Sequence, residues 1–150
     1  MVLITGASAG IGEAVAWRFA ELGCKLVLVA RREEKLAALR EALQKERPGC
    51  QVHTVAMDVR EWGRVEKLPS EIPAAFADVA VLVLNAGLAL GVAPGHETDP
   101  LDIHAMIDTN VTSLMYFVRS FTPGMVQRRE GHIISISSIA GQEAYAGGSE

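Results

Sequence analysis

The sequence predicts an α/β fold in which a parallel sheet is covered by helices on both faces. An apolar strand, Val2–Thr5, runs directly into a glycine turn with the spacing G-x-x-x-G-x-G, formed by Gly6, Gly10 and Gly12. Short apolar segments then alternate with segments of helical periodicity, as in parallel strands joined by crossover helices. The 150 residues contain no internal repeat or interdomain linker, so we expect a single domain spanning residues 1–150.

The strand boundaries follow from apolar runs bounded by turn residues. We expect strands at Val2–Thr5, Lys25–Ala30, Gln51–Met57, Val79–Leu84 and His132–Ser137. The first helix runs from about Gly10 to Leu22 and is closed by Gly23. The second buries Leu36, Leu39 and Leu43 beneath a charged face and ends before Pro48-Gly49, and a short helix covers Glu61–Leu68.

A long helix is predicted after a glycine-rich loop over residues 86–99. One broad apolar stripe marks it, formed by Ile103, Met106, Ile107, Val111, Leu114, Phe117, Val118 and Phe121. Pro123-Gly124 ends or kinks this helix. Asn110 lies within the stripe, and a buried amide there is costly unless it is hydrogen-bonded.

Composition excludes several classes of protein. A hydrophobic fraction of 49% excludes disorder, and a net charge of −4 argues against nucleic acid or an anionic membrane as partner. Cys24 and Cys50 suggest neither a disulfide framework nor a metal cluster, so we expect a reducing compartment, the cytoplasm. The four histidines lack metal-ligand spacing, no signal peptide is visible, and the apolar run Val79–Leu84 is too short to cross a bilayer.

The glycine turn predicts a phosphate or pyrophosphate site. Glycines let backbone approach a ligand closely, and the free N–H groups and dipole of the following helix favour an anion. The spacing is neither the commoner G-x-G-x-x-G nor a Walker loop, since no Lys-Ser/Thr follows. Taken alone, the turn is also compatible with a plain strand–helix connection.

Five ordered motifs along the chain resemble those of the short-chain dehydrogenases/reductases. They are Thr5-Gly6-x-x-x-Gly10-Ile11-Gly12, Asp58-Val59, Asn85-Ala86-Gly87, Asn110 and Ile136-Ser137-Ser138. Finer features resemble the branch of NADP-dependent 3-hydroxy acid, or serine-type, dehydrogenases: Ala30-Arg31-Arg32, residues 85–91, Asp108-Thr109-Asn110 and residues 144–148. The resemblance implies a Rossmann-type sheet of strand order 3-2-1-4-5. It also implies hydride transfer between NADP(H) and a small hydroxy or carbonyl substrate, and a homo-oligomer, dimer or tetramer, that uses the long helix.

The resemblance also implies roles for individual residues. The turn residues Gly6, Ser8, Gly10, Ile11 and Gly12 bind the cofactor, as do Asn85, Ala86 and Gly87 at the end of strand four. Asp58 and the amide of Val59 read the adenine edge. Asn110 helps hold a water in a proton relay, and Ser138 bonds the reacting oxygen of the substrate. Each motif has a purely structural alternative: a turn-capping Asp, an ordinary turn, a packing Asn, or two turn serines.

The end of strand two favours NADP(H) over NAD(H). Dinucleotide folds that prefer NAD place an acidic residue there to bind the ribose 2′-hydroxyl. Here the strand ends in Ala30-Arg31-Arg32, with no carboxylate before Glu33. Guanidinium groups can hold a 2′-phosphate through charge-assisted hydrogen bonds. The alternative is that both arginines simply begin a solvated helix.

The acid/base pair of the resembling family, Tyr-x-x-x-Lys, does not occur in residues 1–150. The residues four positions after Tyr116 and Tyr145 are Ser120 and Ser149. We therefore expect a C-terminally truncated fold, a chain that is inactive by itself, and a bare apolar edge at strand five. A non-catalytic nucleotide-binding or dimerisation module is the alternative function.

Overall fold

A five-stranded parallel sheet forms the centre of the protein. The computed structural model describes residues 1–91 and 93–143. Its strands are β1 (Val2–Thr5), β2 (Leu26–Ala30), β3 (Val52–Ala56), β4 (Val81–Leu84) and β5 (His132–Ser135), in the order β3-β2-β1-β4-β5. The parallel register pairs Val2 with Leu26 and with Val81. The predicted fold class and strand order are confirmed.

Helices connect successive strands and cover both faces of the sheet. They are α1 (Gly10–Glu21), α2 (Glu33–Glu46), α3 (Trp62–Glu71), α4 (Pro100–Ile107) and α5 (Ser113–Arg128). Short 3₁₀ turns lie at Ala74–Phe76 and Ile139–Gly141. β1 has the predicted bounds, whereas the other four strands are one or two residues shorter at one or both ends. Most of the trimmed residues still form backbone hydrogen bonds, such as Met57 N to Ala30 O, but they lie past the regular ladder.

Alternation along the strands builds two apolar cores. On one face, Leu3, Val27 and Leu82 pack with α3 and α5 around Phe117. On the other face, Ile4 and Leu28 pack with α1 and with the predicted leucines of α2, which are Leu36, Leu39 and Leu43. Burial on both faces explains why the strands read as continuous apolar runs.

The long helix is continuous from Pro100 to Arg128 but changes its winding in the middle. Asp99 caps it by accepting from Leu101 N at 2.8 Å, and residues 108–112 form a π-helical turn between α4 and α5. The helix does not end at Pro123-Gly124; it continues to Arg128, and Arg129 closes it in the left-handed conformation (φ 54°). The proline loses one hydrogen bond, but a helix anchored through Phe117, Phe121 and Met125 tolerates the loss.

Only part of the predicted apolar stripe is buried. Met106, Phe117 and Phe121 are buried. Ile103, Ile107 and Val111 are 41%, 51% and 52% exposed, and Met115, one turn further, is 63% exposed. The extra residue of the π turn shifts the helical phase, so one regular stripe does not face the core along its whole length. A line of exposed apolar side chains results.

β5 is an edge strand, as the sequence predicts. Within the described residues it pairs only with β4, and His132, Ile133 and Ser135 are exposed. Ile134 and Ile136 pack partly against the core that contains α1 and α2. No other described strand pairs with the outer side of β5.

Candidate functional site

A cavity opens at the carboxyl ends of β1 to β4. Its volume is about 270 Å³. Four successive loops and the π turn line it, with Gly6, Ser8, Ala9, Ala30, Arg31, Arg32, Met57, Asp58, Val59, Asn85, Ala86, Gly87, Leu88 and Thr109. Open α/β sheets bind ligands at this edge.

The turn after β1 requires glycine where the backbones come closest. A Cβ on Gly12 would lie 2.5 Å from both Asn85 Nδ2 and Gly6 O. Gly6 has φ +66°, and its Cβ would lie 2.9 Å from Ala86 Cα. The glycines therefore let α1 begin against β1 and β4, and Ala9 precedes α1 without a side-chain cap. The first amides of α1 remain free to bind an anion beside the cavity.

A hydrogen-bond network ties the end of β1 to the end of β4. Thr5 Oγ1 accepts from Asn85 N at 2.9 Å and from Ala86 N at 3.0 Å, and it donates to Val83 O at 3.4 Å. Asn85 Nδ2 donates to Thr5 O at 3.0 Å. The amide of Asn85 is thus bonded to the end of β1, and the backbone of Asn85 and Ala86 is fixed at the cavity wall.

Two guanidinium groups follow β2, as the sequence predicts. Arg32 donates to Ser8 Oγ from Nη2 at 2.9 Å and from Nε at 3.3 Å, which joins the second loop to the glycine turn. Ser8 is 9% exposed. In the described part of the chain, neither Arg31 nor Arg32 forms an ion pair with a carboxylate. This corner of the cavity is therefore positively charged and suits an anionic ligand.

Asp58 lies on the third loop and is paired with Arg60. Arg60 Nη2 donates to Asp58 Oδ2 at 2.6 Å, and Arg60 Nε and backbone N each donate to Oδ1 at 3.0 Å. These hydrogen bonds, together with the charges of Arg60 and Arg31, hold the pKa of the Asp58 carboxyl below its ordinary value despite partial burial. Asp58 is therefore ionised at neutral pH.

Asn110 lies in the π turn and holds the fourth loop. Its Oδ1 accepts from Leu88 N at 2.8 Å, and its Nδ2 donates to Leu88 O at 2.7 Å. The expected hydrogen-bonded partner exists, but the expectation of a buried side chain was wrong, because Asn110 is exposed. The π turn directs the amide toward the loop rather than into the core.

Ser138 is exposed and does not line the cavity. Its Oγ accepts from Ala140 N at 3.2 Å and caps the 3₁₀ turn Ile139–Gly141. Residues 144–148, which contribute to the resemblance, lie outside the described residues.

The structure brings most of the predicted cofactor residues to one cavity, but not all. Ser8, Arg31, Arg32, Asp58 and Asn85 line it together with Gly6, Val59, Ala86 and Gly87. Gly10, Ile11 and Gly12 lie just beyond, at the start of α1, and Ile11 is 60% exposed. Sequence reasoning missed the lining residues Ala9, Ala30, Met57, Leu88 and Thr109, all of which adjoin predicted residues in the chain.

The described residues contain neither of two further features. No group of three or more His, Cys, Asp or Glu side chains there is arranged to hold a metal ion. Within that same part of the chain, no helix has the length and apolar character needed to span a membrane.

The doubly wound sheet, the glycine turn and the cavity at its carboxyl edge define a dinucleotide-binding type of α/β protein. The profile of the family described as short chain dehydrogenase matches residues 1–150. The chain belongs to the short-chain dehydrogenase family.

Individual relatives cover nearly all of the chain. The NADP-dependent 3-hydroxy acid dehydrogenase YdfG of Salmonella typhi is 47% identical over 148 residues, which are 99% of this chain and 58% of that protein. Sulfoacetaldehyde reductase 2 of Chromohalobacter salexigens is 43% identical over 98% of this chain and 58% of its own length. The closed form of serine dehydrogenase complexed with NADP⁺ superimposes with a TM-score of 0.91 at 43% identity, over 98% of this chain and 57% of that chain.

The chain therefore spans somewhat more than half the length of the curated relatives it matches. The similarity extends from β1 through the end of the described residues, and so it includes every loop that lines the cavity.

Proposed function

We propose that residues 1–150 form the NADP(H)-binding part of a short-chain oxidoreductase. The carrying observation is the positively charged corner of the cavity, where Arg31 and Arg32 follow β2 with no acidic residue in the position that suits a ribose 2′-hydroxyl. The free amides of α1 suit a pyrophosphate. The ionised Asp58 carboxylate suits an exocyclic amine, from which it would accept a hydrogen bond. The residues present therefore fit NADP(H).

The proposed cofactor residues divide by the part of the nucleotide they suit. Gly6, Ser8, Gly10, Ile11 and Gly12 lie at the pyrophosphate, Arg31 and Arg32 at the 2′-phosphate, and Asp58 and Val59 at the adenine. Asn85, Ala86 and Gly87 complete the wall formed after β4. When bound, the cofactor supplies a hydride donor or acceptor for a carbonyl or hydroxyl carbon.

The substrate we propose is a small hydroxy or carbonyl compound that carries an anionic group, such as a 3-hydroxy acid or a serine-like compound. The named activities of the relatives support this proposal, since a 3-hydroxy acid, serine and sulfoacetaldehyde all fit the description. We assign Ser138 to the reacting oxygen and Asn110 to the proton relay. Because the family's Tyr-x-x-x-Lys pair does not occur in residues 1–150, we propose that these residues alone bind cofactor without turning over substrate. The cytoplasm is the proposed compartment.

A binding titration tests the cofactor assignment. We expect quenching of protein fluorescence by NADPH to give a dissociation constant at least about tenfold lower than that for NADH, because a 2′-phosphate adds charge-assisted hydrogen bonds. Arg31→Ala and Arg32→Ala should each remove most of this preference. Arg64→Ala, an exposed arginine on α3, is the matched control and should leave it unchanged. A wild-type preference for NADH would overturn the proposal.

A second function is a non-catalytic nucleotide-binding or dimerisation module. The exposed apolar line on the long helix and the position of Ser138 outside the cavity favour it. Hydride transfer with NADP⁺ and small 3-hydroxy acids can be assayed on the same protein. Turnover by residues 1–150 would exclude the non-catalytic module, whereas binding without turnover is expected of the chain under either function.

A further inference from the structure

Arg60 lies beside the cavity without lining it, and three of its N–H groups are directed at one carboxylate. Its backbone N and Nε donate to Asp58 Oδ1, and Nη2 donates to Oδ2 at 2.6 Å. The Asp58 side chain is 18% exposed and that of Arg60 is 38% exposed. The pair therefore occupies much of the hydrogen-bonding capacity of a carboxylate that lines the cavity.

A second cation faces the same carboxylate from a different loop. Arg31 lines the cavity next to Asp58, and its charge contributes to the low pKa of that carboxyl. In the described part of the chain Arg31 has no ion pair of its own. If Arg60 did not hold it, the Asp58 carboxylate could pair with Arg31, which lines the same cavity.

We propose that Arg60 is a positioning residue for cofactor specificity: by holding Asp58, it keeps that carboxylate from pairing with Arg31 and leaves Arg31 free for a 2′-phosphate. The inference rests on the proposed function, because it needs an adenine nucleotide in this cavity. It assigns to Arg60 an effect on the 2′-phosphate without a contact to it. Because Arg31 is the residue assigned to the 2′-phosphate, the effect should fall mainly on binding of that phosphate.

Two further carboxylates act on Arg60. Asp108 of the π turn and Glu61 both raise the pKa of Arg60, in addition to the larger effect of Asp58. Removing Arg60 therefore removes a cation on which Asp58, Asp108 and Glu61 all act.

The test compares two probes that differ only in the 2′-phosphate, 2′,5′-ADP and 5′-ADP. Isothermal titration calorimetry on the 150-residue chain gives the ratio of their dissociation constants. We expect Arg60→Ala to lower the preference for 2′,5′-ADP about tenfold while changing 5′-ADP affinity much less. Arg60→Lys, which restores the charge, should recover most of the preference. Arg64→Ala is the matched control and should leave the ratio unchanged.

A double variant separates the indirect effect from a direct contact. In Asp58→Asn/Arg60→Ala the Asp58 carboxylate no longer competes for Arg31, so the preference for 2′,5′-ADP should return toward the wild-type ratio. If Arg60 touched the phosphate itself, the ratio would stay as low as in the single variant, and the proposal would be overturned. Arg60→Gln replaces Arg60→Ala if the smaller side chain prevents folding, as judged by circular dichroism.

A ligand-free measurement distinguishes failure of this inference from failure of the proposed function. Carbon-13 NMR can follow titration of the Asp58 carboxyl. With Arg60 replaced by alanine, further replacement of Arg31 should raise the Asp58 pKa; with Arg60 present, it should have much less effect. No effect of Arg31 in either background overturns the inference and leaves the proposed function standing. A wild-type chain that binds neither probe overturns both.

Discussion

At the residue scale, Gly12 shows how close backbone packing shapes the cavity. Gly12→Ala would place a methyl group 2.5 Å from Asn85 Nδ2, the same nitrogen that donates to Thr5 O. The network cannot move without losing a hydrogen bond between β1 and β4. We expect the free energy of unfolding to fall by about 1–3 kcal/mol and NADPH binding to weaken, measured by urea unfolding and fluorescence titration.

Gly63→Ala is the matched control for this substitution. Gly63 lies in α3, is exposed, and a Cβ there meets no atom within 4 Å. Because alanine is the better helix former, this variant should gain about 0.5–1 kcal/mol. Equal urea midpoints for Gly12→Ala and the wild type would show that the turn accommodates a side chain after all.

Asp58 gives stability a defined pH dependence. Its pKa is lowered in the folded protein, chiefly by the hydrogen bond from Arg60, so its contribution to stability is present above the unfolded pKa of about 3.9. The contribution is lost as pH falls through the folded pKa. We expect Asp58→Asn to cost about 1 kcal/mol or less at pH 7, because the pair is partly exposed.

Urea midpoints of Asp58→Asn and the wild type should therefore converge as the pH is lowered below about 4. Asp78→Asn is the control. The Asp78 carboxylate is 80% exposed, and its contact with Arg128 Nη1, at 3.4 Å, is longer than the 2.6 Å contact between Asp58 and Arg60. Its effect should be smaller at every pH. A cost for Asp58→Asn that persists unchanged in acid would mean that the Asn side chain disturbs the loop for a reason other than charge.

At the element scale, the π turn connects the long helix to the loop after β4. Both hydrogen-bonding groups of the Asn110 amide are bonded to the backbone of Leu88, at 2.8 and 2.7 Å. Asn110→Ala would leave one backbone N–H and one C=O of the loop without these partners. Because the site is exposed, water replaces part of the loss, and we expect a cost of about 1 kcal/mol.

Hydrogen exchange localises this effect. The Leu88 amide should exchange markedly faster in Asn110→Ala, whereas amides in β2 should keep their protection. Val111→Ala, at the next and equally exposed position, is the control and should change neither. Unchanged protection at Leu88 would show that the loop is held by other contacts, such as Leu90 N to Met106 Sδ.

The same helix shows how far the sequence could predict the elements. Apolar periodicity predicted its existence, its start after Asp99 and its buried anchors Phe117 and Phe121. Apolar periodicity could not predict the π turn, because one extra residue in a helical turn leaves no signal in composition. The extra residue changes the direction in which the side chains before it point. The exposure of Asn110 and Ile107 follows from that local change.

The site was predictable to a similar extent. Residues that follow strands could be assigned to one edge of the sheet, and the structure brings Ser8, Arg31, Asp58 and Asn85 to one cavity. Their hydrogen-bond partners were not predictable, because the bond from Arg32 to Ser8 spans 24 positions in the chain. Arg60, by contrast, follows Asp58 by only two residues, so this ion pair could have been predicted from their spacing but was missed.

At the scale of the whole molecule, two exposed apolar features offer different modes of association. One is the helical line of Ile103, Ile107, Val111 and Met115, which are 41–63% exposed. The other is the edge strand β5, where Ile133 is 42% exposed. A helical surface of this kind favours a closed pair of subunits, whereas an open strand edge favours continued addition of chains.

We therefore propose a homodimer that uses the helical line, and we expect Ile107→Asp to convert dimers to monomers. An ionised side chain placed there would have to be desolvated on association, which costs more than the apolar contact returns. Size-exclusion chromatography with light scattering, over a wide range of protein concentration, measures the result. Leu22→Asp is the matched control. Leu22 is 64% exposed and lies at the C-terminal cap of α1, outside the helical line, so this variant should leave the dimer intact.

Ile133→Lys tests the edge strand separately. A lysine on an edge strand discourages pairing with another chain, so this variant should reduce large, concentration-dependent aggregates while leaving the dimer population unchanged. If Ile133→Lys instead abolished the dimer and Ile107→Asp did not, the subunits would associate through β5. The strand edge would then be the true interface, and the exposed helical line would have no part in self-association.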